Sequence, residues 1–135
     1  MSSSVEVEAT VFPTEDVARV LRALKNILPE SEVQEAERVG LLKLVARSSD
    51  IVSLNRFRDM LAKQRIRLAA KAALLGGISS EGVRIELNKQ AAYANRVSFA
   101  DPDDSPLGTI TLRIRSPNPE QVIEWLTGER QEIRP

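Results

Sequence analysis

The residue types best suited to chemistry lie between Leu87 and Phe99, in LNKQAAYANRVSF. Lys89 and Arg96 bring positive charge, Gln90 and Asn95 bring amides, and Tyr93 brings an aromatic ring. Cations and amides hydrogen-bond phosphate oxygens, and an aromatic ring stacks on an unpaired base, so the set fits a contact with RNA. A second group lies upstream. Arg56, Arg58, Lys63, Arg65, Arg67 and Lys71 accompany one acid, Asp59. Such cations on a helical hairpin would track a phosphate backbone. Each group has an ordinary alternative. A polar hairpin tip with Tyr93 folded onto the sheet needs the same residues for solvation alone. A solvated helix face with snorkelling arginines accounts equally well for the second group.

Other chemistries are excluded by what is missing. The chain has no cysteine and no histidine. That removes disulfides, thiolate metal sites, the thiol nucleophile and the commonest general base. Gly76-Gly77 lacks the spacing and the following Lys-Ser/Thr of a phosphate-binding loop. Asp101, Asp103 and Asp104 lack the glycine and distal glutamate of a calcium loop, and read instead as an Asp/Pro turn. Ser79-Ser80 has no base nearby in the sequence. The expectation is a protein that is not an enzyme, with no cofactor, no metal and no small-molecule substrate. No apolar run approaches the roughly 18–20 residues of a membrane span. MSSSVEVEA lacks the basic and apolar regions of a signal peptide, so a cytoplasmic protein without membrane partners is expected.

Charge is distributed in blocks although the formal net charge is zero. Residues 1–37 hold 3 basic and 8 acidic side chains, residues 38–100 hold 12 and 4, and residues 101–135 hold 4 and 7. Fields act over about 8–10 Å at physiological salt, so the local balance governs what the surface attracts. A basic middle suits a polyanion. It suits equally well an arrangement in which the acidic ends neutralise it, within the fold or between subunits.

The positioning elements follow from hydrophobic periodicity. Val5, Val7, Ala9 and Val11 alternate with polar residues and predict a strand. Thr14 is the expected cap of an amphipathic helix through Val17, Val20, Leu21, Leu24, Ile27 and Leu28. Residues 32–38 and 41–47 predict a hairpin turning at Gly40. Ser48-Ser49-Asp50 caps a helical region from Ile51 to Leu75, with a break expected near Gln64–Arg67. Phe57, Met60 and Leu61 form the expected core stripe of its first helix, and Leu68, Ala69, Ala72 and Leu75 that of its second, which ends at Gly76-Gly77. Residues 83–88 predict a strand. Val97 and Phe99 predict another after an ordered reversal. Ile110, Leu112 and Ile114 mark the last strand. Asn118, Pro119 and Gln121 predict a capped final helix that stops at Gly128, followed by a frayed tail. The order is β-α-β-β-α-α-β-β-β-α. It implies one α+β domain over residues 1–135, ordered from about 5 to 127. Its single mixed or antiparallel sheet carries helices mainly on one face.

Several stretches carry a resemblance. They are FPTED at 12–16, ILP at 27–29, FRDMLAKQRI at 57–66, LNKQAA at 87–92, VSF at 97–99, PLG at 106–108 and EWL at 124–126. Together they resemble a family of small uncharacterised archaeal proteins related to predicted exosome subunits and often described as RNA-binding. LNKQAA with the downstream PLG is the most specific part. The resemblance implies a fold like that of the large-subunit ribosomal protein that binds 5S rRNA, and an archaeal, cytoplasmic source. It supplies no catalytic residue. Lys89 and Gln90 match the family's Lys-Gln pair. Residue chemistry leaves their role open between contacting a ligand and holding the turn, with Lys89 paired to a carboxylate.

The leading expectation is a non-catalytic RNA-binding protein. Its contacts would come from Arg56, Arg58, Lys63, Arg65, Arg67 and Lys71, joined by Lys89, Gln90, Tyr93 and Arg96. The alternative is a homodimeric protein–protein adaptor with no nucleic-acid role.

Overall fold

The computed structural model describes residues 3–128. The expectations of a flexible N-terminus and of a frayed tail at Glu129–Pro135 fall largely or wholly outside the described residues. In chain order the elements begin with β1 (Ser4–Val11), α1 (Val17–Ile27), β2 (Glu32–Arg38) and β3 (Leu41–Ser48). A 3-10 turn at Ile51–Leu54 leads into α2 (Asn55–Lys63) and α3 (Arg67–Gly76). Then come β4 (Ile78–Ser79), β5 (Gly82–Leu87), α4 (Lys89–Tyr93), β6 (Ile110–Arg115) and α5 (Pro119–Thr127). The strands form one six-stranded sheet in the order β2-β3-β1-β6-β5-β4. Every pairing is antiparallel.

Register sorts the side chains to two faces, because successive strand residues point to opposite sides. Val7 pairs with Ala46 and Leu112, and Ile85 with Leu112. These residues are buried in one hydrophobic core with Leu24, Phe57, Leu61, Leu74 and Trp125 of the helices. α1 packs on β1 and β3, and α3 on β5. The alternate residues, including Glu6, Glu8, Lys43, Arg47, Arg84 and Arg113, line the opposite face. The α+β class and the one-sided arrangement of helices agree with the sequence pattern.

Four local features differ from expectation, each for a definable reason. The stretch after β5 is a helix, α4, not a hairpin turn. Asn88 caps it by accepting from the Ala91 N–H at 2.8 Å, and Lys89 and Ala92 point inward. Phe99 makes only an isolated bridge to Leu87, so the strand expected at Val97–Phe99 is not present. In α3 the buried residues are Ala70 and Leu74, while Leu68 is 86% exposed and Ala69, Ala72 and Leu75 also face solvent. The break that precedes α3 resets its phase: Arg65 adopts a left-handed φ of 58°, so the buried face of α3 falls on Ala70 and Leu74 and not on Leu68 and Leu75. Helix caps also shift. Asp16 rather than Thr14 caps α1, and Asn118 makes no side-chain cap bond in α5.

Candidate nucleic-acid interface

The site is built around one buried ammonium group. Lys89 is 8% exposed. Its Nζ donates to the Thr10 carbonyl at 2.6 Å, to Glu15 Oε1 at 2.9 Å and to the Leu107 carbonyl. A lysine has three donors, and here all are satisfied inside the fold. Glu15 Oε1 also accepts from the Phe12 N–H at 3.0 Å. Gly108, at φ 77°, turns the chain beside this group, and a Cβ there would lie 3.9 Å from Lys89 Nζ. Positive φ costs glycine little. FPTED, LNKQAA and PLG, distant in sequence, therefore meet at one ion pair. Separating such a pair leaves a buried charge and costs about 3–5 kcal/mol.

The helix that presents Lys89 is too short to stand alone, since isolated helices below about 12 residues are marginal. Tertiary bonds hold it instead. Asn26 Nδ2 of α1 donates to the Ala92 and Tyr93 carbonyls at 2.8 and 3.1 Å, satisfying the end of α4. Gln64 clamps the following segment from both sides, donating to the Val97 carbonyl at 2.9 Å and accepting from its N–H at 2.6 Å. Arg56 Nη2 donates to Asn95 Oδ1 at 2.5 Å. Asn95 itself takes a left-handed φ of 61°, a conformation that asparagine tolerates. The Tyr93 ring has the guanidinium carbons of Arg19 and Arg22 at 5.6 and 5.4 Å from its centroid.

The residues expected to bind RNA thus divide. Arg56, Gln90, Tyr93 and Arg96 come together on and beside α4, where Arg56, Gln90 and Arg96 are exposed and Tyr93 is half-buried. Lys63 and Arg65 are exposed at the junction of α2 and α3, while Arg67 is half-buried and Lys71 exposed on α3. Arg58 turns the other way. Its Nε donates to the Trp125 carbonyl at 2.7 Å and its guanidinium lies 5.5 Å from the Trp125 ring, so it docks α5. Lys89 is interior, as the carboxylate-pairing alternative required. Arg19, Arg22, Asn26 and Gln64 were not singled out by the sequence. The signal for Asn26 was an amide directly beside the core position Ile27, and for Gln64 its place at the helix break.

The opposite sheet face is a charge ladder. Arg113 Nη1 reaches Glu6 and Glu8 at 3.2 and 2.6 Å, Lys43 reaches Glu8 at 2.7 Å, and Arg47 reaches Glu6 at 3.0 Å. Glu86 accepts from Arg84, Thr109 and Thr111. Burial pushes the Glu8 carboxyl up, but the hydrogen bonds from Lys43 and Arg113 outweigh it and hold the group below its ordinary value. Burial likewise disfavours the Arg113 charge, and its bond to Glu8 overcomes that and raises the guanidinium pKa.

Beside α4 lies a cleft of about 510 Å³, between the start of α1, α4 and Leu107. A smaller neighbour of about 340 Å³ shares Glu15, Lys89, Gln90 and Leu107 with it. Among the described residues, no group of three or more metal-ligating side chains comes together, and no helix is long and apolar enough to cross a membrane. The three aspartates at 101–104 form a 3-10 turn, capped by Asp101 accepting from the Asp103 N–H.

Fold and site define a small α+β protein with a one-sided antiparallel sheet and a helix-lined cleft over a buried ion pair. The chain belongs to the family described as RNA binding, which matches residues 4–116. The UPF0201 protein of Thermococcus onnurineus is 38% identical over 126 residues, covering 93% of this chain and 92% of the relative. That of Aeropyrum pernix is 40% identical over 134 residues, covering 97% and 89%. A crystal structure of an uncharacterised UPF0201 protein superposes with a TM-score of 0.80 at 30% identity, covering 98% of both chains. The archaeal family that the sequence motifs resemble is therefore the family of this chain.

Proposed function

We propose that this protein binds RNA without catalysing a reaction, using the exposed cations around α4. The observation that carries the reading is the placement of Arg19, Arg22, Arg56 and Arg96 about Tyr93 and Asn95. Among the described residues none of these arginines is in a salt bridge with a carboxylate. The family's description as RNA binding supports it. Lys63, Arg65, Arg67 and Lys71 extend the phosphate contacts along α2 and α3. Lys89 serves as the anchor of α4, and Gln90 and Tyr93 face the ligand. Such binding is salt-dependent and mostly blind to sequence.

The test is a salt titration of single-stranded RNA binding, with wild type and an Arg22→Glu/Arg96→Glu variant whose fold is verified by circular dichroism. Wild type binds at physiological salt. The log–log slope of the variant is shallower by about 0.7 for each phosphate that is no longer neutralised. Equal slopes overturn the assignment. A second reading, the homodimeric adaptor, rests on Leu68 and Val39, which are 86% and 95% exposed. Val39 lies at the β2–β3 turn and Leu68 on α3, which packs on β5 in the other half of the sheet, so each would make a separate contact with a second copy. Sedimentation of wild type and Leu68→Glu decides it: identical monomers remove the adaptor.

A further inference from the structure

We infer that the cleft beside α4 receives one unstacked nucleobase that presents adjacent N–H donors, as guanine does, while the phosphates stay outside on the arginines. The inference rests on the RNA-binding reading and assigns the part of the RNA that enters. Its volume of about 510 Å³ falls within the range of small-molecule sites. The walls are of two kinds. Val20, Ala23 and Leu107 supply apolar surface, and Tyr93 supplies an aromatic ring already flanked by guanidinium groups. Unstacked bases are held on such rings and on arginine planes.

The polar groups decide what enters. Glu15 Oε1 is occupied by the Phe12 N–H and by Lys89, while Oε2 has no hydrogen-bond partner among the described residues. Among those residues no buried side-chain polar atom lacks a partner, so that oxygen is reached by solvent, on a side chain that lines the cleft. Asp16 Oδ1 accepts from the Ala18 N–H, and its Oδ2 is likewise unengaged on an exposed side chain. Both acids line the cleft, and the one ammonium there, Lys89, has its three donors committed. A phosphate would meet two carboxylates and no available lysine, and the one guanidinium on the lining, that of Arg19, lies against the Tyr93 ring. A base edge that donates would find acceptors. Carboxylates accept from amino groups on base edges, and guanine offers a ring N–H beside an exocyclic amine. Gln90 on the rim can donate to or accept from the remaining edge.

The experiment measures binding of the full chain to short oligouridylates whose central nucleotide is uridine, guanosine, adenosine, cytidine or an abasic ribose, across a salt series. Guanosine is expected to bind roughly tenfold or more tighter than the abasic oligomer, a factor in the range of one stacked base. All oligomers share one salt slope, because the phosphates are unchanged. Asp16→Asn retains the helix cap and should reduce the guanosine preference without altering that slope. Gln90→Ala gives a second, exposed position, and it too should narrow the preference. If every oligomer binds alike with a steep salt slope, RNA binding stands and the base cleft is wrong. If all bases improve binding equally over the abasic site, the donor selection is wrong. If none binds at physiological salt, both the cleft and the RNA reading fall.

Discussion

At the scale of single residues, Lys89 shows how one charge fixes the geometry around it. Its ammonium reaches carbonyls and a carboxylate from β1, from the turn before α1 and from the loop before β6. Lys89→Met keeps the apolar stem but leaves Glu15 and two carbonyls without their donor. That change is expected to destabilise the fold by about 1–3 kcal/mol in urea denaturation, the cost of leaving a half-buried carboxylate and two carbonyls without their donor. Adding Glu15→Gln to it should recover part of the loss, since the uncompensated charge is then gone. A Lys89→Met protein as stable as wild type would show that the ion pair does not anchor the site. Sequence alone could not decide this role. Lys89 is separated from Glu15 by 74 positions, and a lysine next to glutamine on a polar stretch carries no local mark of burial. FPTED, LNKQAA and PLG were legible as motifs, whereas their meeting point was not.

At the scale of elements, the strands and long helices were legible because their periodicity matches a single buried face. β1, β5 and β6 follow the alternation expected of them, β3 is the more apolar run that suits a buried strand, and the break between α2 and α3 falls where the apolar stripe changes phase. α4 was not legible. Five residues cannot show a helical period, and the polar types in KQAAY suggest a loop. A short helix also explains α3, where Leu68, Ala69, Ala72 and Leu75 suggested a face that the left-handed Arg65 rotates away from the core. Because α4 depends on side chains of other elements, removing one of them should loosen it selectively. Gln64→Ala deletes both bonds to Val97 and is expected to cost about 1–3 kcal/mol, since the Val97 N–H is left unsatisfied beside a buried side chain. Hydrogen exchange should accelerate across α4 and residues 94–98 while β1 and β6 keep their protection. Uniform acceleration over the sheet would mean that Gln64 supports the whole fold and not this segment. RNA affinity should fall with the loosening even though no cation has been removed.

At the scale of the molecule, a net charge of zero conceals two populations of cations. Those on the sheet face are paired: Lys43, Arg47 and Arg113 with Glu6 and Glu8, and Arg84 with Glu86. The exposed arginines around α4, Arg19, Arg22, Arg56 and Arg96, have no carboxylate partner in salt-bridge geometry among the described residues, whereas Lys89 within α4 is paired with Glu15. The acidic ends implied by the sequence do neutralise basic residues, but chiefly across the strands. Glu8 is central to that neutralisation, because it links β3 and β6 through β1. Its folded pKa is lowered from an ordinary 4.5, so its contribution to stability is fully present above that value and declines as pH falls through the folded pKa. Glu8→Gln should therefore lower stability near neutral pH by about 1–3 kcal/mol, the worth of hydrogen bonds to a charged group. The gap between wild type and variant should close in acid below the ordinary value, as wild-type Glu8 becomes protonated and loses its advantage. Urea denaturation of both proteins across this range isolates Glu8 from the other carboxylates, which titrate in each. A gap that stayed constant into acid would mean that the loss arose from packing and not from charge. The salt slope for RNA should be the same in the two proteins, since the cations around α4 are untouched and Lys43 and Arg113, which lose Glu8, lie on the opposite face of the sheet.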